Sequence, residues 1–541
     1  MIDSVRQTFL GYYRAHPLRA VLFVALFVRL LAALFAPGYM MHDDHFLTIE
    51  PAGSWADGKN FNHWLPGIGN TNDHPEPISF FYLGFLYLFF KIAHWLGIEQ
   101  PEIQMLLLRM AHSVYSVLTV YFAFRITSLL STLKNATTVA WLLACIAILP
   151  NFSVRNLVEL VCMPPLLAGM WLLLKHIPLK SVKLGGIHLE SPVNTHSSTN
   201  TFTMLACAAF LMGLAVGFRY QTGLFVALVG LVLLLQHSLR YFLVFGFISF
   251  CAFFITQLDD VLLWGGEPFQ HLRGYFEYNK KNALNYPGSH WAYLSFIGIF
   301  MLPPVSLFLT VGFFARWRKL FILVLPTLGF LVFHLLYPNK QERFILPALP
   351  FFVMAGVIGW SHLSSKWREA PWHRRSWQFF WVINTIAMLV LCFTYSKRSR
   401  VEAMNYLYEA GDCSNFILEF THSSQGAMMP QFYSGCWTTY YYFKKEDPVE
   451  GILRNAAFEA TATANDIMPR ALPNYILFYD DDQLQQRVDK MREHYPTLGF
   501  RTTIESGWFD ELLHTLNPKN SLEKIHIYST GAAVEPIFRQ N

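Results

Sequence analysis

The chain has 541 residues, of which 53% are hydrophobic and 16% aromatic but only 14% charged. That balance excludes a string of ordinary soluble domains and predicts a polytopic membrane protein. The formal charge of +5 is small for this length and lies in short basic clusters between apolar runs, which reads as a topology signal and excludes a nucleic-acid surface.

The first apolar run, 18–36, carries Arg29 and is followed by no small-residue cleavage pattern, so it is expected to remain as a span. Beyond it comes a polar stretch, Met41 to Pro51 (MHDDHFLTIEP), that sets two adjacent carboxylates where the chain leaves the membrane. Further spans are expected at 103–127, 137–150, 157–175, 202–218, 221–236, 240–258, 291–315, 319–337, 345–361 and 377–396. The run 78–98 decides the topology. If it does not cross, and the N-terminus with Arg6, Arg14 and Arg19 is cytoplasmic, the cytoplasmic loops hold Lys134, then Lys175, Lys180 and Lys183, then Arg240, then Arg316, Arg318 and Lys319, then Lys366, Arg368, Arg374 and Arg375. That arrangement obeys the positive-inside rule. The 78–98 run, with Lys91 and His94 inside it and Pro75 and Pro77 before it, is therefore expected to be an interfacial or re-entrant helix.

The result is an all-α polytopic membrane protein of about eleven crossings plus that helix. All its polar loops then face the outer or lumenal side; Lys397, Arg398 and Arg400, just past the last span, are the exception. Two domains are expected: a membrane domain over 1–396, with a first outer loop at 37–102, and a small soluble α/β domain over 397–541. In the latter, strand-like runs lie at Phe416 to Phe420, Thr438 to Phe443, Tyr475 to Tyr479 and Lys524 to Tyr528, with a helical pattern at Asp482 to His494. The 180–201 stretch, rich in Ser, Thr and Asn, reads as a cytoplasmic linker. Five of the seven cysteines lie in apolar segments, where cysteine acts as a small hydrophobe, leaving Cys413 and Cys436 as the two that could pair.

An acid at a membrane interface is what a general base needs to deprotonate a sugar hydroxyl, and Asp43 and Asp44, with Glu50 just after, are candidates; the alternative is a solvated acidic loop. The turn Tyr337 to Pro347 (YPNKQERFILP) packs Lys340, Glu342 and Arg343 between two spans. Two cations there suit a phosphate, with Arg343 offering a bidentate fork; snorkelling anchors at span ends are the alternative. Glu159 opens a span, where an acid is costly without a partner, so it contacts a sugar hydroxyl or pairs with a nearby cation. Arg109 and His112, one helical turn apart within a span, read as an internal polar pair. His290 and Trp291 could stack on a sugar, although an aromatic at a span boundary is commonly part of an interfacial belt. No cluster has metal-ligand spacing: His42 and His45 flank two acids that could hold a cation, but loop histidines beside acids are more often solvated, so no obligatory metal and no cofactor is expected.

The chain resembles the polytopic GT-C glycosyltransferases, specifically the dolichol-phosphate-mannose-dependent mannosyltransferases of family 22 that extend GPI-anchor precursors and lipid-linked oligosaccharides. Their first-loop motif HPDExFQxxEP is matched by Met41 to Pro51 through Phe46, Glu50 and Pro51, which places Asp43 on the family's catalytic aspartate and Asp44 on its neighbouring glutamate. Their second motif, HKEERFxxP, is matched by Asn339 to Pro347 (NKQERFILP), carrying over Lys340, Glu342, Arg343, Phe344 and Pro347. Weaker matches are Asn156 and Glu159 on an SNxxE element, Arg219 with Gln221 after a span, and Tyr286 to Tyr293 (YPGSHWAY) on an aromatic YGxxPWHWY loop. The chain departs from the pattern at His42, Leu47 and Asn339, where the family has proline, glutamine and histidine.

The resemblance implies an inverting transfer of mannose from a polyprenyl-phosphate-mannose donor to a lipid-linked glycan acceptor at the outer or lumenal membrane face. Asp43 and Asp44 would be catalytic and Lys340 and Arg343 would hold the donor phosphate. Glu50, Glu159, Arg219, Gln221, His290 and Glu342 would line the substrates. Two alternatives stand beside it: a GT-C enzyme moving another lipid-phosphate sugar to protein or lipid A, and a lipid-glycan transporter, which would more typically show midplane polar residues and inverted repeats. The outward domain has no Asn-x-Ser/Thr sequon, which fits a bacterial inner membrane slightly better than an endoplasmic reticulum lumen.

Overall fold

Among the residues described by the computed structural model (11–531 except 12, 14, 62–63, 66–77, 194–199, 286, 290, 364, 413–414, 421–427, 438–439, 446–472 and 519–521), seven helices are long and apolar enough to cross a bilayer. They are Pro17–Phe35, Pro101–Leu130, Val158–His176, Thr201–Phe218, Leu239–Leu262, Glu342–Ser361 and Pro371–Cys392. Shorter apolar helices run over Phe80–Trp95, Thr222–Gln236 and Phe321–Leu336. At 16 residues, Phe80–Trp95 is about 24 Å long, short of a bilayer's hydrocarbon thickness of about 30 Å.

The 291–315 run is not one straight span. It forms Ala292–Met301 and Val305–Ala315, bent by 114°, because Pro303 and Pro304 each withhold a backbone N–H and clash with the preceding turn. Likewise the 137–150 run is split into Leu133–Cys145 and Ile148–Phe152.

Contacts divide the chain into two units. The first comprises Met1–Leu34, His74–Tyr82 and Arg109–Phe393. Its broken helix after Cys145 exposes carbonyls that no helical N–H reaches, and at bilayer depth these need partners. Arg29, buried in the first helix, supplies them: Nη1 donates to Ala144 O and Ala25 O, Nη2 to Leu143 O and Nε to Ser116 Oγ, each at 3.1 Å. Asn384 completes the repair, donating to Cys145 O at 2.6 Å and accepting from the Ala147 N–H at 2.9 Å. Elsewhere small residues let helix backbones touch. A Cβ added at Gly312 would meet Gly356 O at 2.0 Å, and one at Gly359 would meet Gly312 O at 1.8 Å. The 180–201 stretch, whose composition predicts a linker, holds an antiparallel hairpin, β1 (Val182–Leu184) and β2 (Ile187–Leu189). Gly185 and Gly186 both have positive φ, 49° and 87°, as a two-residue type I′ turn requires.

The second unit comprises Phe35–Asp73, Leu83–Leu108 and Thr394–Asn541. It contains a five-stranded sheet in the order β4-β3-β5-β7-β6, with β3 at Phe416–Phe420, β4 at Tyr441–Lys444, β5 at Tyr475–Tyr479, β6 at Gly499–Ile504 and β7 at Ile525–Ser529. β3 runs parallel to β4 and β5, whereas β7 is antiparallel to β5 and β6. Ile417, Tyr441, Phe443, Ile476, Phe478 and Tyr528 from the sheet pack on Val488 and Met491 of helix Leu484–Arg492. Arg400 grips Glu523 through two bonds, Nε to Oε2 at 2.8 Å and Nη2 to Oε1 at 2.7 Å, the fork geometry of a strong ion pair. Cys413 lies outside the described residues, and with it any pairing to Cys436.

Candidate functional site

In the first unit, three elements end at one buried polar cluster. Pro164 and Pro165 start the helix Met163–His176, and the short turn before it, Val158–Val161, carries Glu159. Arg219 occupies the corner between Thr201–Phe218 and Thr222–Gln236, where Thr222 Oγ1 donates to its carbonyl at 2.8 Å. Arg343 sits on the 3-10 turn Glu342–Ala348 that leads into Leu349–Ser361. Glu159 is 1% exposed; its Oε1 accepts from Arg219 Nη1 at 2.7 Å and lies 3.7 Å from Arg343 Nε. Both guanidinium groups stand over the Phe344 ring, at 5.2 and 5.5 Å from its centroid.

Among the described residues, this cluster sets two cations against one carboxylate. Arg219 Nε and Nη2 are buried and have no hydrogen-bond partner among the described residues. Buried N–H donors on a charged group are costly to leave unmet, so the arrangement is suited to an anion that accepts from them. Beside it, Gln221 donates to the Tyr275 hydroxyl, whose ring meets Tyr220 edge-on at 5.3 Å. Lys340, half-buried, gives its ammonium to Tyr337 O at 2.7 Å, and Glu342 is half-buried at the start of the turn. His290 lies outside the described residues. Sequence patterns thus name Glu159, Arg219 and Arg343, which the fold brings together. They miss Tyr220 and Tyr275, two tyrosines among 25, and they name Phe344 as part of the second motif without its place under both guanidinium groups.

The acidic loop belongs to the second unit. Asp44 is 2% exposed and its two oxygens accept from the Met40 and Met41 amides at 3.1 and 3.2 Å, which fastens the loop back on itself. That leaves Asp43, next in line, partly exposed. Glu50 is buried as well, with Oε1 2.9 Å from His45 Nε2 and accepting from the Phe432 amide at 3.1 Å. His45 is not a solvated loop residue: it stacks between Tyr39 and Tyr433, with centroids at 5.0 and 5.5 Å. Asp57 accepts from the Trp437 indole at 2.5 Å; burial raises its pKa, against the pull of that bond and of His94.

Arg109 and His112 do not pair with each other as their spacing predicts. Arg109 Nε donates to Ala33 O at 2.9 Å, and His112 Nε2 lies 2.9 Å from the Tyr82 hydroxyl.

A model of the Alg9-like mannosyltransferase family matches residues 20–421. The chain belongs to that family. Among curated relatives, this Alg9-like chain is 23% identical over 264 residues to the Dol-P-Man:Man(7)GlcNAc(2)-PP-Dol alpha-1,6-mannosyltransferase of Arabidopsis thaliana, covering 46% of the present chain and 52% of the relative. It therefore spans about half the length of that relative. Its fold is that of ArnT from Cupriavidus metallidurans. The undecaprenyl phosphate complex of that protein superposes with a TM-score of 0.57 at 11% identity, over 96% of the present chain and 99% of ArnT; the apo form gives the same score over 98% of ArnT. The Alg9-like chain is thus a helical membrane protein of the GT-C type with a small sheet domain.

Proposed function

We propose that this Alg9-like protein transfers mannose from a polyprenyl-phosphate-mannose donor to a lipid-linked glycan acceptor, with inversion, at the outer or lumenal membrane face. The observation that carries the reading is the Glu159–Arg219–Arg343 cluster, whose Arg219 N–H donors, unmet among the described residues, suit the phosphate of such a donor. A lipid-phosphate sugar brings its own leaving group. The enzyme then needs to stabilise the phosphate as the glycosidic bond breaks and to take a proton from the acceptor hydroxyl. Arg219 and Arg343 perform the first task, with Glu159 holding both side chains in place and Lys340 adding charge from the same loop as Arg343. Asp43 performs the second as general base, and Asp44, held by two backbone amides, keeps the loop that presents it in shape. The family supports the sugar, and the distribution of basic loops supports the face.

The test uses purified protein in nanodiscs, radiolabelled polyprenyl-phosphate mannose and a lipid extract as acceptor pool. Label should enter a new lipid-linked product with wild type and fall at least about 100-fold with Asp43→Asn while donor binding is retained. Unchanged turnover in Asp43→Asn removes it as the base. No transfer by wild type with mannose, but transfer with another lipid-phosphate sugar, replaces the donor.

A further inference from the structure

Asp259 and Asp260 are adjacent and lie 12 and 11 positions before His271, and the three play no part in the proposed transfer. The fold assembles them. Leu239–Leu262 ends on the two aspartates, the chain turns at Gly265, with φ of 61°, and the helix Gln270–Asn282 begins by placing His271 against them. One potential ligand atom from each residue lies within 4.8 Å of the others. The imidazole is fixed between Phe80 and Trp264, at centroid distances of 4.4 and 4.7 Å.

Hydrogen bonding within the group does not satisfy it. Asp260 Oδ1 takes both donors that His271 offers on this side, the backbone N–H at 3.2 Å and the ring Nδ1. Asp260 is 0% exposed, and its Oδ2 is buried with no partner among the described residues. Asp259 Oδ2 faces the same ring nitrogen at 3.8 Å. A single ring proton cannot serve two carboxylates, and even a protonated imidazole leaves one negative charge over. A buried surplus charge of that kind is costly.

We propose that Asp259, Asp260 and His271 bind one divalent transition-metal cation of the zinc or manganese type. A 2+ ion balances the two carboxylates, and an imidazole nitrogen beside two oxygens favours these metals over magnesium or calcium. Ligands bonded at about 2.0–2.2 Å to a common ion stand about as far apart as Asp259 Oδ2 and His271 Nδ1 do now. On binding, Nδ1 gives up its proton and offers its lone pair to the metal, and the imidazole stays neutral with its hydrogen on Nε2. Water or the metal enters from the side of Asp259, the most exposed of the three. Tyr275 lies one turn beyond His271, so the cation fixes the end of the helix that sets this hydroxyl against Gln221. It is a positioning site. The inference stands whether or not the chain transfers mannose.

The experiment is metal content by mass spectrometry of tag-free protein in nanodiscs, dialysed against Zn2+ or Mn2+ and passed through a desalting column. Wild type is expected to keep about one equivalent, and Co2+ in its place to give d–d absorption bands. Asp259→Asn and His271→Gln are expected to retain less than a tenth of that. Asp259 is the most exposed ligand, so its variant keeps the test open if His271→Gln fails to fold; thermal unfolding checks both. Wild type that retains no more metal than Asp259→Asn overturns the proposal, as does a variant that retains a full equivalent.

Discussion

Glu159 joins two arginines inside the protein, and its removal is the most direct test of the cluster. At about 4 Å between charge centres, an effective dielectric of about 20 gives each close pair roughly 4 kcal/mol of attraction. Breaking a buried pair typically costs about 3–5 kcal/mol, because the remaining charge is stranded. Glu159→Gln keeps an oxygen for Arg219 Nη1, now at 2.7 Å from Oε1, so a loss near the lower end, about 3 kcal/mol, is expected. Arg219→Gln alone should cost a similar amount, but the double variant should cost less than the sum by about 2–3 kcal/mol, since the second change removes the stranded partner. Equilibrium unfolding of the four proteins in mixed micelles measures the cycle. Additivity to within about 0.5 kcal/mol would refute the claim that the two side chains hold each other, and with it the charge assignment on which phosphate binding rests.

Other expectations follow from neighbouring features. Arg29→Leu removes four hydrogen bonds, two of them to carbonyls of the broken helix, and should destabilise by more than about 3 kcal/mol, read in the same unfolding assay; a loss under about 1 kcal/mol would mean other groups satisfy those carbonyls. Gly312→Val should lower stability by about 1–3 kcal/mol or more, since its Cβ would meet Gly356 O at 2.0 Å; wild-type unfolding would show that the helix pair has slack. Burial works to raise the Glu523 pKa, but Arg400 and Lys397 outweigh it and hold it below the usual carboxylate range. A depressed acid contributes stability above its unfolded pKa, which is lost as pH falls through the folded one. Thermal unfolding should therefore weaken towards acid below about pH 4.5, with a shallower fall in Glu523→Gln; parallel acid slopes would count against the ion pair.

Hydropathy made the helices legible because it records how apolar a segment is, but it does not record whether the helix is continuous. Residues 137–150 stay apolar through the break at Cys145, and only Arg29 and Asn384, polar residues in other spans, hinted that something there needed partners. The bend at Pro303 and Pro304 was written in the sequence as a Pro-Pro pair within an apolar run. In the sheet domain β3 and β5 follow their apolar runs, whereas β6 (Gly499–Ile504) has three exposed residues followed by three half-buried ones, a pattern without the alternation that marks a strand. At the candidate site, motif spacing found Glu159, Arg219 and Arg343, since each lies at the edge of an apolar run where a charge stands out. Tyr275 lies on a polar helix where one more tyrosine carries no signal, and the Asp259, Asp260 and His271 group exists only after a turn folds back.

The repair of the broken helix also sets an order of events during synthesis. The carbonyls left open after Cys145 receive Arg29 from a helix already made, but Asn384 arrives 239 residues later, on the last long apolar helix of this unit. Until Asn384 follows, the Cys145 carbonyl and the Ala147 N–H lack the side chain that meets them in the finished fold. A chain cut short before residue 384 would retain that need, which makes the final helix a checkpoint for assembly as well as a wall of the bundle.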